Sequence, residues 1–156
     1  MPDYAGAKAS IRQRFATAWG ATTPIAGQNK SVPDGWSGAW PPLDGDGLLL
    51  PWVYLEILGT GHFLVGDSGT PGNRVWNYDG IINVHVFVPV GDGDDAATAL
   101  AIAAGEIFRA AEFYNSTPGY AVRTLSPSID DGDTADDQGA WFRVTMTCPF
   151  TYWHRG

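Results

Sequence analysis

The chain has 156 residues, 44% of them hydrophobic, one cysteine and a formal net charge of −8. That length is one domain with a core of its own, and one cysteine excludes an intrachain disulfide. Only nine Lys and Arg, scattered along the chain, argue against a surface that grips nucleic-acid phosphate, and the apolar runs at 48–58 and 81–88 are too short to cross a bilayer.

Residues 3–19 predict an amphipathic helix capped by Asp3, with Tyr4, Lys8, Ile11, Phe15 and Trp19 at steps of three and four and with Gly20 and Pro24 beyond its end. From 21 to 47 the chain is rich in Gly, Pro, Asp and Ser without a period, and it carries Trp36, Trp40, Pro41 and Pro42. A loop of that length is functional or held by something else, because ordering it costs entropy. Strand character resumes over 49–58. Trp52, Tyr54, Glu56 and Leu58 share one face and Val53, Leu55 and Ile57 the other, both largely apolar.

A Gly-rich connection over 59–73, with a hairpin around 62–65, leads to the clearest strand, 81–88. Here Ile82, Val84, Val86 and Val88 alternate with Asn83 and His85, and Pro89 ends the pairing. Asp94 or Asp95 is expected to cap a helix running to Tyr114, its buried stripe including Leu100, Ala104, Ile107 and Ala111. A strand over 120–125, a mobile acidic loop over 130–137 and a last strand over 141–148 complete the order. Helix, strands, helix, strands predicts an α+β fold: one domain, 1–156, with two helices packed on one face of a mainly antiparallel sheet.

No nucleophile elbow, phosphate loop or dinucleotide fingerprint is present. The acidic loops fail the EF-hand pattern, since a loop starting at Asp92 has Ala96 at its fifth position and one starting at Asp131 has Ala135. His62, His85 and His154 lack zinc spacing, and Cys148 reads as a small apolar strand residue. A carboxylate pair assembled in space stays open to Glu56, Glu106 and Glu112. The expectation is no enzyme, with no catalytic residues, no cofactor and no metal. Seven tryptophans and six tyrosines fit either a carbohydrate-binding platform or packing and interfaces. Trp52, Trp76 and Trp141 read as packing, whereas Trp36 and Trp40 fit a subunit contact better than a sugar platform.

The phrases IRQRFATAW, TTPIAGQN, PWVYLEIL, INVHVFVPVGDG before an alanine-rich helix, and WFRVTMTCPFTYW follow one another along nearly the whole chain. In order and spacing they resemble the tail terminators of long-tailed phages and related gene-transfer particles. After TPIA this chain carries a longer segment, with two Trp and two adjacent Pro, than similar proteins often have. The resemblance implies a homohexameric ring that stacks on the last ring of tail-tube protein, ends its polymerisation and offers a surface to the head–tail connector. Its place would be the head–tail junction of a virion assembled in the bacterial host cytoplasm, with no membrane partner and with DNA passing through the channel unheld.

On that reading Trp36, Trp40, Trp52 and Tyr54 are expected at a subunit or tube interface. Asp130, Asp131, Asp133, Asp136 and Asp137, crowded without a basic partner in sequence, are expected at the lumen or rim, where they would repel phosphate. The alternatives are a head-closure or tail-tube protein of the same particle and, in another class, an aromatic carbohydrate-binding module.

Overall fold

Asp3 is extended and its carboxylate accepts the Gly6 N–H at 2.6 Å, which starts helix α1 (Tyr4–Trp19). Its buried stripe is Ala7, Ile11, Phe15 and Trp19; Tyr4 and Lys8 are only partly covered. Gly20 closes the helix at φ +56°, a conformation that glycine adopts without a Cβ penalty. The computed structural model describes residues 2–66, 69–134 and 139–156.

Three long antiparallel strands form the body of the sheet: β2 (Trp52–Leu64), β3 (Val75–Pro89) and β8 (Trp141–Arg155). Each runs past its expected end, because the β2–β3 hairpin and the end of β8 continue the ladder as a three-stranded arm. Short β1 (Ile25–Gly27) joins β2 in parallel at one edge. On the other side of β8, β5 (Ala121–Thr124), β6 (Ser128–Ile129) and β7 (Asp133–Thr134) pair in succession along one edge, with β4 (Glu112–Phe113) outside β5. The sheet is therefore mostly antiparallel and the fold is α+β.

Alternation along each long strand gives the sheet two unlike faces. One face buries Val53, Leu55 and Ile57 of β2, Ile82, Val84, Val86 and Val88 of β3, and Val144, Met146 and Cys148 of β8. These pack with α1 and with α2 (Asp95–Phe108) in a single core cluster. The alanines of α2 serve a close approach: Ala97, Ala101, Ala104 and Gly105 are buried, and a Cβ on Gly105 would lie 3.0 Å from Pro127.

Two expectations need correction. Helix α2 stops at Phe108, not Tyr114, so Phe108 is its fully buried anchor while Leu100 and Ile107 are only partly covered. Arg14 donates from Nε to the Ile107 carbonyl at 2.8 Å, and the Thr124 hydroxyl donates to the Phe108 carbonyl, so orphan carbonyls of the last turn find partners outside the helix. Ala110 then turns at φ +46° into β4.

The segment from Asp130 is likewise not a free loop. Asp130 accepts the Thr145 N–H at 2.9 Å and the Gly132 N–H at 3.1 Å, and Asp133 lies in β7 with Arg143 at 3.4 Å as its ion-pair partner. Asp136 and Asp137 lie outside the described residues.

Close packing makes one glycine indispensable. A Cβ on Gly80 would sit 2.5 Å from the Phe150 ring and 2.6 Å from the Leu58 carbonyl oxygen. Gly80→Val is expected to cost about 1–3 kcal/mol or more in urea unfolding, as overpacking does; a midpoint equal to the parent's would mean that β2, β3 and β8 separate easily here.

Candidate functional site

The second face of the sheet carries no helix. Cross-strand register sets its side chains in rows: Trp52, Phe87 and Arg143; Tyr54, His85 and Thr145; Glu56, Asn83 and Thr147; Leu58, Ile81 and Pro149. All are partly covered except Leu58, which is 40% exposed. An antiparallel sheet whose outer face meets only water normally alternates to polar residues. This one presents Trp, Phe, Tyr, Leu, Ile and Pro around a narrow polar band.

The band is hydrogen-bonded throughout. Thr147 Oγ1 donates to Asn83 Oδ1 at 2.8 Å, and Asn83 Nδ2 donates to Glu56 Oε1 at 3.4 Å. His85 Nδ1 lies 2.9 Å from Thr145 Oγ1, its Nε2 lies 3.5 Å from Glu56 Oε2, and the ring stacks on Tyr54 at 5.7 Å. Burial pushes His85 below the ordinary histidine range, and Arg143 adds to this, outweighing the opposing pull of Glu56. At neutral pH the imidazole is therefore uncharged. The tautomer that suits a carboxylate neighbour puts the proton on Nε2 towards Glu56 and lets Nδ1 accept the Thr145 hydroxyl, which makes this a neutral-ring contact rather than an ion pair.

A lowered histidine pKa sets a sign. As pH falls the unfolded chain takes up the proton first, so stability is full above about pH 6.5 and declines as pH drops from there towards the lowered folded value. The thermal midpoint is expected to be lower at about pH 5.5 than at about pH 7.5. His85→Gln should reduce that difference; His154, also lowered chiefly by burial, contributes in the same sense. An unchanged difference in the variant would show that His85 folds without losing proton affinity.

At one end of this face the long 28–51 segment folds back. Trp36 meets Trp40 edge-on at 5.5 Å, Trp40 meets Trp52 at 5.1 Å, and Trp52 stacks on Phe87 at 4.1 Å with Trp141 edge-on at 5.9 Å. Of the four residues expected at an interface, Trp36, Trp40 and Trp52 form this corner, and Tyr54 lies one row along the same face. Trp36, Trp40 and Trp141 meet their neighbours edge-on and Trp52 is stacked on Phe87, so the four indoles are crossed rather than aligned in one plane.

Asp130 and Asp133 border the open face beside β8, and exposed Asp131 lies between them. On the helix side of the arm, a second aromatic group gathers Tyr4, His62, Trp76, Tyr78, Tyr152 and His154. Nothing in the sequence marked it, because its members come from four elements and become neighbours only through strand pairing.

Cys148 is buried in mid-strand and burial pushes its thiol up, away from the thiolate form. Glu106 and Glu112 are held by Arg109 and Arg123 on the surface. Among the described residues no three His, Cys, Asp or Glu side chains converge as a metal centre, and no helix is long and apolar enough to cross a membrane. A cavity of about 610 Å³ beside β1 is lined by Arg12, Thr23, Gln28, Lys30 and Trp36, with Asp34 on its rim pairing with Lys30.

No protein-family model and no curated protein matches the chain. A solved structure is similar to it over 93% of this chain and 94% of its own, with a TM-score of 0.55 and 20% identity. At that identity the likeness is one of fold.

Proposed function

We propose that the chain is a structural assembly protein that forms a ring at the head-proximal end of a phage-type tail tube, ends polymerisation of the tube and joins it to the head connector. The observation that carries this reading is the open face of the sheet, where Trp52, Phe87, Tyr54, Ile81 and Pro149 stand partly covered and Leu58 exposed, with both helices on the opposite side. Apolar area of that extent is stabilised when another surface covers it. A ring supplies such cover by a heterologous contact in which two different patches meet on successive subunits.

Two further features support the reading. The 28–51 segment is held by an aromatic corner and by a single Leu43–Leu49 bridge rather than by a helix or long strand, which suits a loop completed by a neighbour. The acidic edge at Asp130, Asp131 and Asp133 suits a channel that lets DNA pass, because like charge repels phosphate. Both agree with the sequence resemblance to tail terminators, which also supplies the six-fold number.

Light scattering and negative-stain images of the purified chain at micromolar concentration test the proposal. The expected result is a closed ring that does not grow, and tail-tube protein added to it should give tubes of limited length with a ring at one end. Open-ended growth of the chain alone would make it the tube protein. A monomer that leaves tube growth unaffected would overturn the assembly reading.

A further inference from the structure

The strand ladder brings together two histidines that are ninety-two positions apart in sequence. His62 of β2 lies opposite Tyr78 of β3, and His154 of β8 lies opposite Trp76 of the same strand, so the two reach towards each other diagonally across β3 on the helix side of the arm. Their Nε2 atoms are 3.4 Å apart while the ring centroids are 5.6 Å apart. A nitrogen separation so much shorter than the centroid separation means that the rings meet nose to nose, each pointing its Nε2 at the other.

Two imidazole nitrogens bound to one tetrahedral ion at about 2.0–2.1 Å each sit about 3.3 Å apart. The observed spacing is already the spacing of a ligand pair. Aromatic walls hold it: His62 stacks on Tyr78 at 4.0 Å and on Trp76 at 5.1 Å, and His154 stacks against Tyr78 at 5.4 Å and Tyr152 at 5.6 Å. The backbones belong to three strands in continuous register, so the pair requires no loop to order. Its rings are nearly parallel, 14° apart, and the two nitrogens stand at hydrogen-bond distance, so an ion takes the place of an N–H···N contact and both rings turn to bring their lone pairs to a common point. His62 is exposed, which leaves a route for an ion and room for water in the remaining coordination positions.

We propose that His62 and His154 form a two-histidine site for a first-row divalent ion of the imidazole-preferring kind, Ni²⁺, Cu²⁺ or Zn²⁺, bound through both Nε2 atoms on the arm of the sheet. Such an ion ties β2 to β8 across β3. Imidazole nitrogen selects these ions over Mg²⁺ and Ca²⁺, which prefer oxygen. The third histidine, His85, is on the opposite face with both ring nitrogens engaged, so it serves as an internal control.

The test is calorimetric titration of the tag-free chain with NiCl2, CuCl2 and ZnCl2, beside His62→Gln, His154→Gln and His85→Gln, with far-UV circular dichroism to confirm that each is folded. Saturable binding of one ion per chain is expected in the parent and in H85Q, lost in H62Q and in H154Q, with a thermal midpoint raised by the ion only where binding survives. Mg²⁺ should give neither effect. Electron paramagnetic resonance of the Cu²⁺-loaded parent should show coupling to two equivalent nitrogens, a readout that also serves if a variant fails to fold. No saturable binding in the parent, binding equal in all variants, or a Cu²⁺ spectrum with one nitrogen or none would overturn the site.

Discussion

Phe108→Ala is expected to lower the stability of the folded chain by about 3–5 kcal/mol, the range for emptying a buried aromatic site. Phe108 is fully buried at the end of α2 and its ring stacks on Phe15 at 6.0 Å, which in turn stacks on Trp19 at 5.2 Å. The ring is thus the buried aromatic contact between the two helices, beside the Arg14 hydrogen bond to Ile107. Its loss cannot be recovered by a small shift, because Arg14 and Thr124 fix the carbonyls of the same turn. Urea unfolding measures the cost. A loss below about 1 kcal/mol would show that the helices close over the gap, and that the α1–α2 contact is not the part of the core that resists truncation. Ile107→Ala should cost less, since Ile107 keeps part of its surface in water.

Leu58→Glu is expected to leave the monomer folded and to abolish ring formation. Leu58 is 40% exposed on the open face, with Ile81 of β3 directly opposite it, so a carboxylate there stays hydrated in the free chain and changes stability by about 0.5 kcal/mol or less. Under a neighbouring subunit the same carboxylate would be buried without a partner, at a cost of about 3 kcal/mol or more, roughly a hundredfold or more in association constant. Sedimentation across a concentration series separates the two states. Rings that persist in the variant would move the subunit contact off this face, and the wall of the 28–51 segment would be the next surface to test.

The faces of the long strands were legible because a period of two needs no tertiary information. Ile82, Val84, Val86 and Val88 go inward, as their alternation against Asn83 and His85 indicates, whereas on β2 the alternation separates Val53, Leu55 and Ile57 from Trp52, Tyr54 and Glu56 and the structure shows the first set to be inward. The first helix was legible for a similar reason: Asp3 caps locally and Gly20 ends locally. The acidic segment was read as unpaired because Arg143 is ten residues from Asp133 in sequence and the intervening chain gives no sign of a strand. A two-residue strand has no period to detect. The same holds for Asp130, whose role is to accept the N–H of Thr145 on the neighbouring strand.

The amino-acid sequence by itself determined the fold class, the order of the main elements, the apolar face of β3 and both ends of the first helix, while for β2 it separated the two faces but left open which of them is inward. Those features rest on side-chain periodicity and on capping within a few residues. Only the tertiary structure decided where the second helix stops, since Arg109, Ala110 and Ala111 would continue a helix and it is the β4 strand, with Arg14 and Thr124 on the last carbonyls, that ends it. It alone also decided that His62 faces His154, that Trp36 and Trp40 close on Trp52, and that Asp133 meets Arg143. Each of these is a contact between separate segments, brought together by a ladder whose register is set by burying one face of the whole sheet.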